Sequence, residues 1–180
     1  MKTYVALLRG INVGGKNALP MKELVAILED LGSRNVKTYI QSGNAVFENK
    51  TEDASRLSAR ISSEIRKRRG FEPWVLLLER QVVERAIAQN PFPEAETDPQ
   101  WLHVGFLASA PGNVNLKALE SLKKDSERFH LIGKVFYLHA PEGVGRSKLA
   151  ANVERVLGVS MTDRNWKTVC KIRDMVKALD

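Results

Sequence analysis

The sequence predicts an α+β fold built from two similar halves, and three observations lead to this prediction. Short apolar runs suited to strands alternate with stretches in which apolar residues recur every three or four positions, as on half-buried helices. The same order of elements occurs in residues 1–90 and again in residues 101–180. Residues 91–100 between them hold three prolines and three acidic residues, a composition typical of a linker.

The first half has seven predicted elements, in the order strand, helix, strand, strand, helix, strand, helix. Pro20 suits a first helical turn, and Gly32 and Gly70 suit positions just after a helix. The continuous apolar run at 74–78 predicts a central strand. The predicted bounds are 4–8, 20–31, 36–40, 45–48, a helix that starts at 51–53 and ends at Gly70, 74–78, and a helix that stops before residue 91.

The second half repeats this order. Predicted strands at 127–131 and 134–139 form a hairpin about Gly133, which lies 90 positions after the hairpin glycine Gly43. A β-α-β-β-α-β order is typical of the ferredoxin-like split arrangement, so we predict two ferredoxin-like halves and interpret them as an internal duplication. The other predicted elements are a strand at 101–108, a helix marked by Leu116, Leu119 and Leu122, a helix from Leu149 closed by Gly158, a strand at 159–161 and a final helix from Trp166 to Leu179.

The composition is that of a globular protein with an excess of positive charge. The 180 residues are 43% hydrophobic, and no apolar run approaches the roughly 20 residues of a membrane span. A lone cysteine, Cys170, and the lack of a secretory leader pattern predict a cytoplasmic protein with no membrane partner. The net charge of +7 favours an anionic partner, with nucleic acid as the first candidate. We interpret the basic run at 66–69 as structural, because cations suit the carbonyl end of a helix.

A glycine-rich stretch after the first strand is the first candidate site. Its three glycines allow backbone conformations with positive φ and the close approach of a ligand. A cation lies on each side of the loop, and exposed backbone amides between two cations suit a phosphate or a carboxylate. The candidate ligand-binding residues here are Arg9, Gly10, Asn12, Gly14, Gly15, Lys16 and Asn17.

The same loop approaches the Walker P-loop pattern. Gly10, four residues and then Gly15-Lys16 match its start, but Asn17 stands where a serine or threonine should ligate Mg²⁺. Pro20 would lie about one turn into a helix that must start at once, which costs on the order of 3 kcal/mol. A kinase or nucleotidase is therefore a minor alternative, and a glycine turn shaped by chain packing is at least as good an interpretation.

Three further polar stretches are candidate sites. Ser147 suits the N-cap of the next helix, and the cations beside it lie unfavourably at the positive helix end unless an anion binds there. At the last helix Thr162 or Asp163 suits the N-cap, and Trp166 packs in the core or, as the lesser alternative, stacks on a base. The candidate ligand-binding residues of these stretches are Gln41, Ser42, Gly43, Asn44, Arg146, Ser147, Lys148, Arg164, Asn165, Trp166 and Thr168.

The sequence carries no recognisable catalytic or metal-binding motif. His103, His130 and His139 lie in strand-like segments without a cysteine or carboxylate at metal-ligand spacing. We therefore interpret them as structural and predict no metal site and no cofactor. No serine elbow or cysteine–histidine pair is present, and Ser42 has no base beside it.

Residues 7–17, 38–44, 145–149 and 164–169 form four ordered blocks. Together they resemble a bacterial family catalogued as domain of unknown function 1697. This resemblance covers essentially the whole chain. It implies a two-part α+β protein of ferredoxin-like halves and implies no activity. It points to the same polar stretches as the residues themselves.

The leading hypothesis is a protein that binds an anionic, phosphate-bearing ligand, with nucleic acid as the favoured class. An enzyme acting on a small phosphorylated or carboxylated metabolite is the alternative. A third interpretation is an interaction module whose polar blocks only join the two halves. Catalysis and oligomeric state are left open by the sequence.

Overall fold

The computed structural model describes residues 1–179. By their internal contacts these residues divide into two compact units, one of 1–85 with the residues from 171 onward, and one of 86–170. The predicted division keeps the whole last helix in the second half, whereas this one groups its C-terminal part with the first unit. None of the helices in residues 1–179 combines the length and the hydrophobicity that a membrane span requires.

The first half has the predicted element order. Its elements are β1 (Lys2–Arg9), α1 (Met21–Asp30), β2 (Arg34–Tyr39), β3 (Asn44–Asn49), α2 (Ala54–Arg69), β4 (Trp74–Glu79) and α3 (Arg80–Ala88). The four strands form an antiparallel sheet in the order β2-β3-β1-β4. On one face of this sheet, apolar side chains of β1 and β3 share a buried core with α1 and α2. In α2, Leu57, Ile61 and Ile65 recur every four positions and supply its core-facing stripe.

The second half repeats this arrangement. Its elements are β5 (Leu102–Leu107), α4 (Leu116–Leu122), β6 (Arg128–Ile132), β7 (Val135–His139), α5 (Lys148–Leu157), β8 (Met161–Asn165) and α6 (Trp166–Lys177). The sheet order is β6-β7-β5-β8, again antiparallel, and α4 and α5 share a core with one of its faces. Both halves therefore have the ferredoxin-like topology, which confirms the predicted fold class.

Helix ends follow the sequence signals where glycine or serine supplies them. Gly70 and Gly158 adopt left-handed conformations with φ of +78° and +65° at the C-caps of α2 and α5. The Ser147 hydroxyl accepts a hydrogen bond from the Ala150 N–H at 3.0 Å and so caps α5, as predicted. These ends fix where each helix meets its neighbouring loop.

Two predicted details are wrong. β4 is an edge strand and not a central one, because a continuous apolar run reports apolar side chains on both faces rather than hydrogen-bonded neighbours on both sides. β8 spans Met161–Asn165 instead of 159–161, so Thr162 and Asp163 are strand residues rather than helix caps. Pairing of β8 with β5 overrides the local capping preference. Asn165 caps α6 instead, since its Oδ1 accepts from the Thr168 N–H at 2.9 Å.

Candidate functional site

The glycine-rich loop is a miniature hairpin that follows β1. Val13 and Lys16 form an antiparallel bridge, and the Lys16 N–H donates to the Val13 carbonyl at 3.0 Å. Gly14 and Gly15 between them have φ of +58° and +73°, as the two central residues of a type I′ turn require. Outside this turn the Asn12 N–H donates to the Asn17 carbonyl at 3.1 Å. The loop backbone is thus fixed by its own hydrogen bonds.

Asn12 ties this loop to the neighbouring hairpin turn. Its Nδ2 donates to the Leu19 carbonyl at 2.9 Å and to the Gln41 carbonyl at 2.8 Å, and its Oδ1 accepts from the Leu19 N–H at 2.8 Å. Asn17 similarly donates from Nδ2 to the Gly10 carbonyl at 2.9 Å. Both amides were expected to offer donors to a ligand, but they bond to the protein's own backbone and hold the loop in place.

Gly43 brings the hairpin turn against the loop. Its carbonyl accepts from the Leu8 N–H at 2.8 Å. A Cβ at this position would lie 2.7 Å from the Leu8 Cβ and 2.8 Å from the Ile11 Cδ1, so only glycine allows this approach. Asn44 is buried beside it and donates from Nδ2 to the Tyr39 carbonyl at 3.0 Å. The first two sequence blocks therefore meet in the first unit.

The exposed part of this assembly is the loop–turn surface, which we define as Arg9, Val13, Lys16, Ile40, Gln41 and Ser42. Val13 is 67% exposed and Ile40 is 49% exposed, unusual values for large apolar residues. Ile40 also has a φ of +50°, a conformation that a β-branched residue adopts only when the surrounding structure imposes it. The surface thus combines two cations, two polar side chains and two apolar ones on a fixed backbone.

The P-loop alternative does not fit this geometry. A P-loop needs a helix that starts directly after the glycine-rich turn, so that helix amides face the phosphates. Here α1 starts at Met21, five positions after Lys16, and β1 lies in an antiparallel sheet. The loop glycines are not required by close packing, because no atom lies within 4 Å of a Cβ placed at Gly10, Gly14 or Gly15, and their positive φ values suit the turn instead.

The basic run at the end of α2 is neutralised by carboxylates. Arg66 pairs with Glu72 at 3.1 Å, and Lys67 pairs with Glu64. Arg68 pairs with both Glu64 and Asp30. Arg69 pairs with Glu23. Hydrogen bonds from Arg68 and then from Lys67 hold the pKa of the Glu64 carboxyl below its ordinary value. This run therefore has a structural role, as interpreted from its position at a helix end.

A second group of cations on α2 was missed by the sequence analysis. Arg56, Arg60 and Lys67 lie at spacings of four and seven, on one side of the helix, along a shallow groove of about 470 Å³. The side chains of Arg56 and Arg60 have no hydrogen-bond or ion-pair partner within residues 1–179. Their i, i+4 spacing in the sequence was the signal that could have identified them.

In the second unit, the third block, residues 145–149, lies beside a cavity of about 270 Å³, which none of residues 164–169 lines. Gly145 and Ser147 line it from the start of α5, and Asp163 lines it from β8. The other lining residues are apolar and come from β7, α5, β8 and the turn before α5. The cavity therefore lies between the first turns of α5 and the sheet.

His103 and Asp163 form a side-chain hydrogen bond that the sequence did not reveal. His103 Nδ1 lies 2.9 Å from Asp163 Oδ2, and His103 is only 9% exposed. The two residues are 60 positions apart and become neighbours through the pairing of β5 with β8, where Asp163 lies opposite Gly105. His103 is thus a partnered histidine, as expected, but its partner is a cavity-lining carboxylate.

The remaining candidates of the second unit differ in exposure. Arg146 and Lys148 are exposed at the start of α5. Arg164 is half-buried and donates from Nη1 to the Asp163 carbonyl at 2.8 Å, and burial lowers the pKa of its guanidinium to about 10. Trp166 and Thr168 are 4% and 5% exposed, so Trp166 packs in the core and is not placed to stack on a base. Within residues 1–179 no group of histidine, cysteine and carboxylate side chains is arranged to hold a metal ion.

This chain is similar to a family of proteins and to a solved structure. The family model described as "Protein of unknown function (DUF1697)" matches residues 1–137 of this chain. A solved structure of the conserved bacterial protein SP0830 from Streptococcus pneumoniae is similar, with a TM-score of 0.74 and 26% sequence identity. The alignment covers 98% of this chain and 99% of that one. No curated protein matches the chain.

Proposed function

The chain belongs to the DUF1697 family, whose description assigns no activity, and we propose that it binds an anionic, phosphate-bearing ligand, with nucleic acid as the favoured class. The observation that carries this proposal is the loop–turn surface, where exposed cations stand on a backbone already fixed by its own hydrogen bonds. A fixed backbone favours binding, because little conformational freedom is lost when the ligand arrives.

Within this surface, Arg9 and Lys16 supply the positive charge. Both are exposed, and the ammonium group of Lys16 has no hydrogen-bond or ion-pair partner in the described part of the chain. Gln41 and Ser42 are exposed beside them and add uncharged polar groups. Asn12, by contrast, holds the loop and turn together, so its role in the proposal is to position the site.

Nucleic acid is favoured over a single small phosphate because the cations of the first unit form more than one group. Arg56 and Arg60 lie on α2 without carboxylate partners, separate in sequence from the loop that carries Lys16. A polyanion such as a nucleic-acid backbone can contact several such groups, and each contact releases a counterion. Arg146 and Lys148, exposed on the second unit, are further candidates for phosphate contacts. We include a cytoplasmic location in this proposal, as the lone Cys170 suggests.

The test is equilibrium binding of a duplex oligonucleotide at several salt concentrations. Replacing Arg9 and Lys16 together by alanine should reduce the slope of log affinity against log salt by about 1.8, from about 0.9 for each lost phosphate contact. Between 50 and 200 mM salt, affinity of the wild-type protein should then fall about 12-fold more than that of the variant. The Arg56→Ala/Arg60→Ala variant should show a reduced slope as well.

A charge-matched control separates specific contacts from net charge. Lys117 and Lys134 are exposed cations of the second unit, and their double replacement by alanine removes the same charge. This control should keep the wild-type salt slope. An equal reduction of the salt slope in the Arg9→Ala/Lys16→Ala variant and in this control would refute the nucleic-acid proposal. Absence of binding by the wild-type protein would also refute it. Thermal stabilisation by inorganic pyrophosphate without oligonucleotide binding would support the small phosphorylated metabolite instead. If the Arg9→Ala/Lys16→Ala variant loses folding stability and the wild-type protein binds neither probe, the interaction module is supported.

A further inference from the structure

The cavity of the second unit has features of a binding site that are independent of the proposed phosphate site. About 270 Å³ of space lies between the first turns of α5 and the sheet. Its walls are mainly apolar, with Phe136 and Leu138 from β7 and Val153 from α5. A mainly apolar cavity with a few polar groups is the usual form of a small-molecule site.

The carboxylate of Asp163 is unexpected on this face of the sheet. Asn44 begins β3 and pairs with Leu7 of β1, and in the second half Val135 begins β7 and pairs with Phe106 of β5. Ala6 and Gly105, one residue earlier on β1 and β5, therefore occupy equivalent positions in the two halves. Ala6 pairs with Leu77 of β4, and Gly105 pairs with Asp163 of β8, so Leu77 and Asp163 hold the same position on the fourth strand of each half.

In the first unit this fourth-strand position is an ordinary apolar one, because Leu77 packs against the buried core. In the second unit the same position carries an acid, which lines a cavity. The side chain of Asp163 is 43% exposed, so its charge is solvated, whereas Leu77 is partly buried against apolar neighbours. Asp163 therefore marks a difference in chemistry between two otherwise equivalent sheets.

One oxygen of the Asp163 carboxylate is bonded to His103, which orients the group, and the other oxygen can accept a further hydrogen bond. Its Oδ2 accepts from His103 Nδ1, and its Oδ1 has no hydrogen-bond donor within residues 1–179. Arg164 lies next to it in sequence but points to the opposite face of β8, as successive strand residues do, and its Nη1 donates to the main-chain carbonyl of Asp163. Of the residues that line the cavity, Asp163 is the one with an ionisable side chain.

We infer that this cavity binds a small apolar molecule that carries one protonated amine. The apolar walls would surround the body of the molecule, and Asp163 Oδ1 would accept a charge-assisted hydrogen bond from its ammonium group. A cavity of 150 Å³ holds one benzene molecule, so the space here suits a ligand of on the order of ten non-hydrogen atoms. An anionic ligand of the same size is disfavoured by the same carboxylate.

The experiment compares three probes of one shape and different charge: phenethylamine, 2-phenylethanol and phenylacetate. Titrations of the full chain are followed by amide NMR shifts, which also show where each probe binds. Phenethylamine should bind at least about tenfold more tightly than phenylacetate and shift residues around α5 and β8. In Asp163→Asn, which can still accept a hydrogen bond from His103, the affinities for amine and alcohol should become equal within about threefold.

Two further variants complete the test. Asp125→Asn removes an exposed acid of the same unit that does not line the cavity, and it should keep the preference for the amine. Ala151→Met adds volume at an exposed lining position of α5 and should weaken all three probes. Equal affinity for amine and carboxylate, an amine preference that survives Asp163→Asn, or shifts located elsewhere would overturn the inference. These results do not depend on oligonucleotide binding, so this inference and the proposed function fail separately.

Discussion

Gly43 offers a quantitative test of how the hairpin turn is built. Replacing it by alanine keeps the backbone but adds a methyl group that would lie 2.7 Å from the Leu8 Cβ and 2.8 Å from the Ile11 Cδ1. Its φ of +83° is also unfavourable for alanine, by about 1–2 kcal/mol. The overlap adds about 1–3 kcal/mol, the usual range for overpacking a tight core. The free energy of unfolding should therefore fall by about 2–5 kcal/mol.

Gly133 is the matched control, because it occupies the corresponding hairpin of the second half. Its φ is +57°, but no atom lies within 4 Å of the position that a Cβ would take. Gly133→Ala should thus lose only the backbone term, about 1–2 kcal/mol. Urea unfolding followed by circular dichroism measures both variants. If the two substitutions destabilise the protein equally, the close packing of the turn on β1 and the loop is refuted.

Two further predictions follow from the same kind of contact. Asn12→Ala removes three side-chain hydrogen bonds and should lower the free energy of unfolding by about 2–4 kcal/mol. Asn17→Ala, at nearly the same φ, removes one such bond and should lower it by about half as much. Equal urea midpoints for the two variants would contradict this prediction. Burial, and then the Arg128 guanidinium, lowers the pKa of His139 below 6.5, so the neutral ring is favoured in the folded protein. The stability this ring contributes is present above about pH 6.5 and is lost as the pH falls through the lowered pKa, and NMR titration showing a midpoint at or above 6.5 would disprove it.

The fold was predictable because its signals are local and occur twice. Apolar spacing in α2, glycines after α2 and α5, and the two hairpin glycines each report on a few neighbouring residues. The errors arose where long-range pairing decides the outcome. β8 forms because five consecutive residues pair with β5, and nothing in residues 161–165 themselves distinguishes that strand from the start of α6.

The candidate sites were predictable as positions along the chain but not as chemistry. The first two blocks meet in the first unit, whereas no residue of 164–169 lines the cavity beside the third block. The sequence could not show that Asn12 and Asn17 use their amides on the protein's own backbone, because this depends on where the carbonyls of Leu19, Gln41 and Gly10 lie. It also could not show the contact of His103 with Asp163, which two strands 60 positions apart bring together.

The polar side chains of the glycine-rich loop therefore form two groups, those that bond to the protein's own backbone and those that do not. Amides with positive φ, such as Asn12, both adopt the turn and satisfy its backbone groups, so their frequency in a glycine-rich loop is explained by folding alone. The ammonium group of Lys16 has no such explanation, because it has no hydrogen-bond or ion-pair partner within the described residues. The asparagines therefore do not indicate a ligand, and only the exposed charges do. Replacing Lys16 should leave the loop folded, whereas replacing Asn12 should not.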